Sequence, residues 1–159
     1  MKRLFKHLEL RFSPFGALIV SAQALPNILW VLFPPETNRL AGNVSSVAFI
    51  EYGEHVLGVA IVILLLLLRN RERPETLPRG ASSLAAYVAI ALYWVCWALY
   101  FAGVQANPVL YLMVVLPPVA FFLAGVAQRV WPISAASVVF LVFHLLVALE
   151  NYPVFGQVN

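Results

Sequence analysis

The chain has 159 residues, 62% of them hydrophobic and 11% charged, and its mean hydropathy is +0.88. A water-soluble domain with so little polar surface would aggregate, so the composition excludes a soluble globular protein and points to a polytopic membrane protein. The net charge of +3 does not indicate a nucleic-acid partner, because the Lys and Arg residues fall in segments flanking apolar spans.

The single cysteine, Cys96, excludes an intrachain disulfide framework and any paired-cysteine metal motif. A spanning helix needs about 20 predominantly apolar residues. Five segments meet this requirement, residues 14–33, 44–68, 81–103, 108–127 and 131–149, and predict an all-α transmembrane bundle of five helices forming one domain over residues 1–159. Pro34-Pro35, the Arg-rich stretch 69–79, Asn107-Pro108 and Trp131-Pro132 punctuate the spans, since proline starts or stops helices and charge leaves the hydrocarbon.

Ahead of the first span, Leu4, Phe5, Leu8 and Phe12 interleave with Lys2, Arg3, Lys6 and Arg11. This stretch reads as a solvated basic flank that sets topology, or as a short interfacial helix on an anionic leaflet. Ala22-Gln23-Ala24 mimics a signal-peptide cleavage site, but Glu9 and Arg11 interrupt the front and residues 15–20 are short for an h-region, so an uncleaved first helix is expected. Nine of the ten Lys and Arg residues fall on one side of the predicted bundle and only Arg39 falls on the other. The positive-inside rule then places the N-terminus in the cytoplasm and the C-terminus outside, in an inner (plasma) membrane.

In helix 1, Gln23, Asn27 and Trp30 form an i, i+4, i+7 row, and Pro26 frees the carbonyl of Ala22 to accept a hydrogen bond from elsewhere. Helix 2 carries the main anomaly, because Glu51, Glu54 and His55 interrupt a span whose second half contains the unbroken leucine run 64–68. Ionisable side chains cost about 2.5–3.5 kcal/mol at a helix centre and mark functional sites by default. Glu51, Glu54, His55 and Gly58 follow i, i+3, i+4, i+7 spacing, so one face is expected to turn into the bundle. With a rise of 1.5 Å per residue, Glu51 lies roughly 10 Å deep and His55 near the midplane. Helix 3 adds Tyr93, Trp97 and Tyr100 on one stripe. Helix 4 adds Tyr111 and a Pro117-Pro118 break, and helix 5 adds His144. All these groups fall in the outer half, predicting an outward-facing polar pocket over an apolar floor, which argues against an open pore.

Three uses of this constellation compete. A carboxylate pair walled by Tyr93 and Trp97, with Gln23 and Asn27 nearby, suits a small amphiphilic or cationic ligand through charge pairing and cation–π attraction. Glu51, Glu54, His55 and His144 are also candidate catalytic residues for acid–base chemistry on a lipid-like substrate, and the same four are candidate ligands for a divalent metal. A third use makes the chain an accessory subunit of a membrane complex or a homo-oligomer, with the polar groups fastening helices together. Besides a ligand or a membrane partner, the bilayer itself is the expected environment.

Leu25-Pro26-Asn27, the Phe33-Pro34-Pro35 exit, a Glu followed by Gly early in helix 2 and a His late in helix 5 resemble a family of small, uncharacterised bacterial multi-pass membrane proteins. The matching positions are Pro26, Asn27, Pro34, Pro35, Glu51 and His144. The resemblance implies the topology and a bacterial origin, and implies no activity.

Overall fold

A computed structural model describes residues 6–72 and 77–153. Lys2, Arg3, Leu4, Phe5 and Arg73, which entered the topology argument, lie outside the described residues. Five helices dominate: α1 (Pro14–Leu32), α2 (Ala48–Leu67), α3 (Ala81–Phe101), α4 (Asn107–Gln128) and α5 (Trp131–Asn151). All five are long and apolar enough to cross a membrane, which makes this a multi-pass integral membrane protein. Their large apolar side chains, such as Leu25, Val59, Leu92 and Val142, are widely exposed, as lipid-facing groups are.

Local chemistry sets the helix ends. Ser13 caps α1 by accepting from the Gly16 amide at 3.0 Å, with Pro14 in the first turn, where its missing N–H costs nothing. Within α1, Pro26 cannot donate to Ala22, and the freed Ala22 carbonyl accepts from the Trp94 indole at 2.9 Å, as the sequence suggests. Gly103, with φ of 88°, closes α3 in the left-handed region. Arg129 does the same for α4, and Val130 donates back to the Gly125 carbonyl at 2.8 Å, so α4 and α5 are joined by a two-residue turn.

The span α4 is half buried and packs between α3 and α5. Tyr100, Leu110, Ala120, Ala124 and Ile133 fill this three-helix core. On the outer side of α5 lies α2, of whose span only 11% is buried. It approaches α5 closely at Gly53, where a Cβ would stand 2.4 Å from the Phe143 ring. The first helix touches α2, α3 and α4 more sparingly.

The structure corrects the sequence reading at the basic end. Residues Leu8–Leu10 form neither a loose flank nor an interfacial helix but a strand, β1, paired antiparallel with β2 (Leu68–Asn70). The ladder runs on into the helices, with Ser13 and Arg11 amides donating to the Leu66 and Leu67 carbonyls, each at 2.8 Å. The last carbonyls of a helix lack intrahelical partners, so this pairing satisfies the end of α2 where the chain leaves the apolar segment. Helix α2 also starts at Ala48 rather than residue 44, because the backbone at Ser45 and Ser46 bonds to carboxylates instead of entering the helix.

The ladder brings α1 and α2 into direct backbone contact at Gly16, where a Cβ would lie only 1.8 Å from the Leu65 carbonyl oxygen. Close approach at small residues is the main source of helix association in lipid. Gly16→Ala is therefore expected to destabilise the bundle by about 1–3 kcal/mol through overpacking. Gly42→Ala, in a turn with nothing within 4 Å of the added Cβ, should be neutral. Reversible denaturation in detergent checks the contrast, and equal effects would contradict it.

Candidate ligand-binding site

The ionisable residues of α2 divide between two tasks. Glu54 turns inward and meets His144 of α5, with Oε1 and Nδ1 2.5 Å apart and the side chains 14% and 20% exposed. With Glu54 ionised, the imidazole Nδ1 carries the proton and donates to the carboxylate. The His144 ring stacks on Phe140 at 4.9 Å between centroids, which fixes its plane. Antiparallel α2 and α5 thus bring together the two groups that sequence periodicity places at similar depth.

Glu51, by contrast, serves the helix end. Its Oε2 accepts from the Ser45 amide at 2.7 Å, and Glu150 of α5 accepts from the Ser46 amide and the Ser45 hydroxyl, each at 2.8 Å. Val47 supplies no side-chain cap, so these two carboxylates satisfy the entry to α2, where the helix dipole also favours negative charge. His55 bonds the Glu51 carbonyl at 2.8 Å and its side chain is 69% exposed, so it stands at the rim. The expectation that the whole Glu51, Glu54, His55, Gly58 face points inward is thereby corrected: Glu54 and Gly58 turn in, Glu51 turns to the helix entry, and His55 stands exposed at the rim of the cavity. Among the described residues no three His, Cys, Asp or Glu side chains converge as a metal site, and the four candidate metal ligands form two separate pairs.

A cavity of about 760 Å³ adjoins the Glu54–His144 pair, with walls from all five helices. Gln23, Asn27, Tyr93, Trp97 and His55 line it together with Glu54 and His144, while Glu51 does not. Asn27 donates to the Tyr93 hydroxyl at 2.9 Å and to the Gln23 carbonyl at 2.8 Å, so it braces the α1–α3 wall rather than contacting the carboxylates. The floor is apolar, built from Val20, Val62, Val114, Phe121 and Phe140. Pro117 and Pro118 deprive Met113 and Val114 of their i+4 amide donors, and both of these residues face the cavity.

Two buried polar atoms of the lining, Gln23 Oε1 and Asn43 Oδ1, have no hydrogen-bond partner among the described residues, while the Trp97 indole is engaged with Tyr93. Buried polar atoms are satisfied in the great majority of native structures, which sets these two oxygens apart from the rest of the lining. Asn43 escaped the sequence reading because it lies in the α1–α2 connection, with no helical periodicity to place it. Residues 33–47 of that connection close the end of the bundle opposite the arginine-rich end. Asn38 accepts from the Trp30 indole at 2.9 Å and the Tyr100 hydroxyl at 2.8 Å. Arg39 donates to the Gln105 carbonyl at 2.6 Å and to Asn107 at 3.0 Å, and its guanidinium lies 5.4 Å from the Tyr152 ring centroid. Burial, reinforced by Tyr100 and opposed by Arg39, pushes the Tyr152 phenol up to about 12, so it remains a donor to the Arg39 carbonyl. Tyr100, which the sequence places on the stripe with Tyr93 and Trp97, is fully buried and spent on this closure.

Removing one partner of a buried pair leaves the other unsatisfied, although measured polar couplings inside membranes reach only about 1.7 kcal/mol. Glu54→Ala and His144→Ala should each destabilise the protein, and the double variant should cost less than the sum by about 1–2 kcal/mol. A thermodynamic cycle measured by unfolding in detergent tests this, and additivity would remove the pair as a structural link. No family model, curated protein or solved structure matches the chain.

Proposed function

We propose that this integral membrane protein binds a small amphiphilic cation in the cavity beside Glu54 and His144, with the Arg39 end facing outward from a bacterial inner membrane. The single observation that carries the reading is the coincidence of two unpartnered acceptor oxygens with a carboxylate–imidazole pair on the walls of one largely apolar cavity. Ligand sites combine mostly apolar walls with a few polar groups that fix orientation.

The donor and acceptor types define the ligand. Gln23 Oε1 and Asn43 Oδ1 accept, which calls for N–H or O–H donors, and Glu54 supplies negative charge to a cationic head. The indole of Trp97, clustered with Trp30, Tyr93 and Tyr100, offers an aromatic face to the same head. Val31, Leu32 and Val62 provide apolar wall for a hydrocarbon tail. An alkylammonium ion combines these properties. Acid–base catalysis would use the Glu54–His144 pair but leaves the two unpartnered oxygens unexplained, so binding is the more complete reading.

Titration of the purified protein with dodecylammonium, followed by tryptophan fluorescence, is expected to saturate. Glu54→Gln should weaken the affinity at least tenfold, equivalent to about 1.4 kcal/mol. Dodecyl sulfate, with the same tail and opposite charge, should not compete. Absence of saturation, or equal affinity in Glu54→Gln, would contradict the reading.

A further inference from the structure

A second cavity lies at the arginine-rich end, away from Glu54. It encloses about 930 Å³ between the start of α1, β2, the start of α3 and the end of α4. Three cationic side chains line it, Arg69, Arg79 and Arg129, and among the described residues no acidic one does. The 21-residue helix α3 begins here without a side-chain cap, and Ser82 and Ser83 of its first turn line the cleft. Its first amides and the positive end of its dipole therefore face the same space. The end of α4 opposes this field, but part of it is engaged: the Gly125 and Val126 carbonyls accept from Val130 and Arg129, and the Arg129 carbonyl accepts from Asn70 at 3.2 Å.

An independent feature points to an occupant. Gln128 is only 7% exposed and lines the cleft. Its Oε1 accepts from the Ser13 hydroxyl at 2.8 Å, while Nε2 has no partner among the described residues. A buried amide donor left open beside three guanidinium groups and an uncapped helix N-terminus matches an anion rich in acceptor oxygens.

We infer that this cleft binds a phosphate group, contributed by the headgroup of an acidic phospholipid or by a soluble phosphate. Gln128 Nε2 and the first amides of α3 donate to its oxygens, and Arg69, Arg79 and Arg129 balance its charge. This site is separate from the proposed amphiphile cavity and stands without it.

The full chain in nonionic detergent is titrated with inorganic phosphate against chloride at matched ionic strength. In parallel, it is reconstituted with phosphatidylcholine containing phosphatidylglycerol, and retained lipid is read by native mass spectrometry. Gln128→Glu keeps an acceptor for Ser13 while replacing the open donor with negative charge, and should weaken binding at least tenfold. Arg79→Gln, at an exposed position, should weaken it several-fold and decides the matter should Gln128→Glu fail to fold. Lys6→Gln, an exposed cation outside the cleft, should change nothing. Binding in both arms supports a phosphate site open to either source, binding of lipid alone assigns the headgroup, and binding of phosphate alone assigns a soluble ligand. Absence of binding in both arms, or binding that Lys6→Gln weakens as much as Arg79→Gln, overturns the inference.

Discussion

A carboxylate inside a bilayer must be partnered or neutralised, and Glu54 meets that constraint through His144. The cost of an unpartnered charge at a helix centre, about 2.5–3.5 kcal/mol on insertion scales, exceeds what a single helix contact returns in lipid. The pair therefore sets how α2 can sit against α5: any rotation that turned Glu54 outward would expose it to hydrocarbon. Gly53 reinforces that register one residue earlier by admitting the Phe143 ring against the α2 backbone. These two contacts matter because α2 is the least buried of the five spans and has little other packing to orient it.

At its other end α2 is held differently. The β1–β2 ladder and the Gly16–Leu65 contact join it to α1 through backbone atoms. Between these two fixings the walls of α1 and α2 stand on opposite sides of the cavity, from Val20 to Leu32 on one helix and from Glu54 to Val62 on the other. The cavity is thus a consequence of fastening α2 to different neighbours at its two ends. Elements with few buried contacts open at the lowest free energy, so α2 is the wall expected to move most readily.

Much of this was legible in the sequence because membranes impose strong rules. Length and hydropathy mark all five spans to within a few residues. Antiparallel chain direction and the 1.5 Å rise place Glu54 and His144 at matching depth. A proline's missing donor identifies Ala22 as an acceptor, and Trp94 occupies it. The contacts that escaped depend on where separate helix ends meet. Leu8–Leu10 has no strand signature of its own and pairs only because β2 lies beside it. Glu150, which the sequence reading does not single out, is needed because the N-cap residue of α2 supplies no side-chain cap. Helical spacing assigned Glu51 to the interior, but an acid in the first turn of a helix is drawn to free amides. Gln128 gave no signal either, since one amide at a span end is ordinary until Ser13 takes its oxygen and leaves its nitrogen open.

The most direct test of the central claim, that the Glu54–His144 cavity is a ligand site and not only a helix fastening, is an electron-density map from crystals grown in lipid from protein purified out of its native membrane. Elongated density between α1 and α2, with its polar end within hydrogen-bonding distance of Gln23 Oε1 or Asn43 Oδ1, is the expected result. A collapsed cavity, with Gln23 Oε1 and Asn43 Oδ1 accepting from donors of the protein itself, would contradict it.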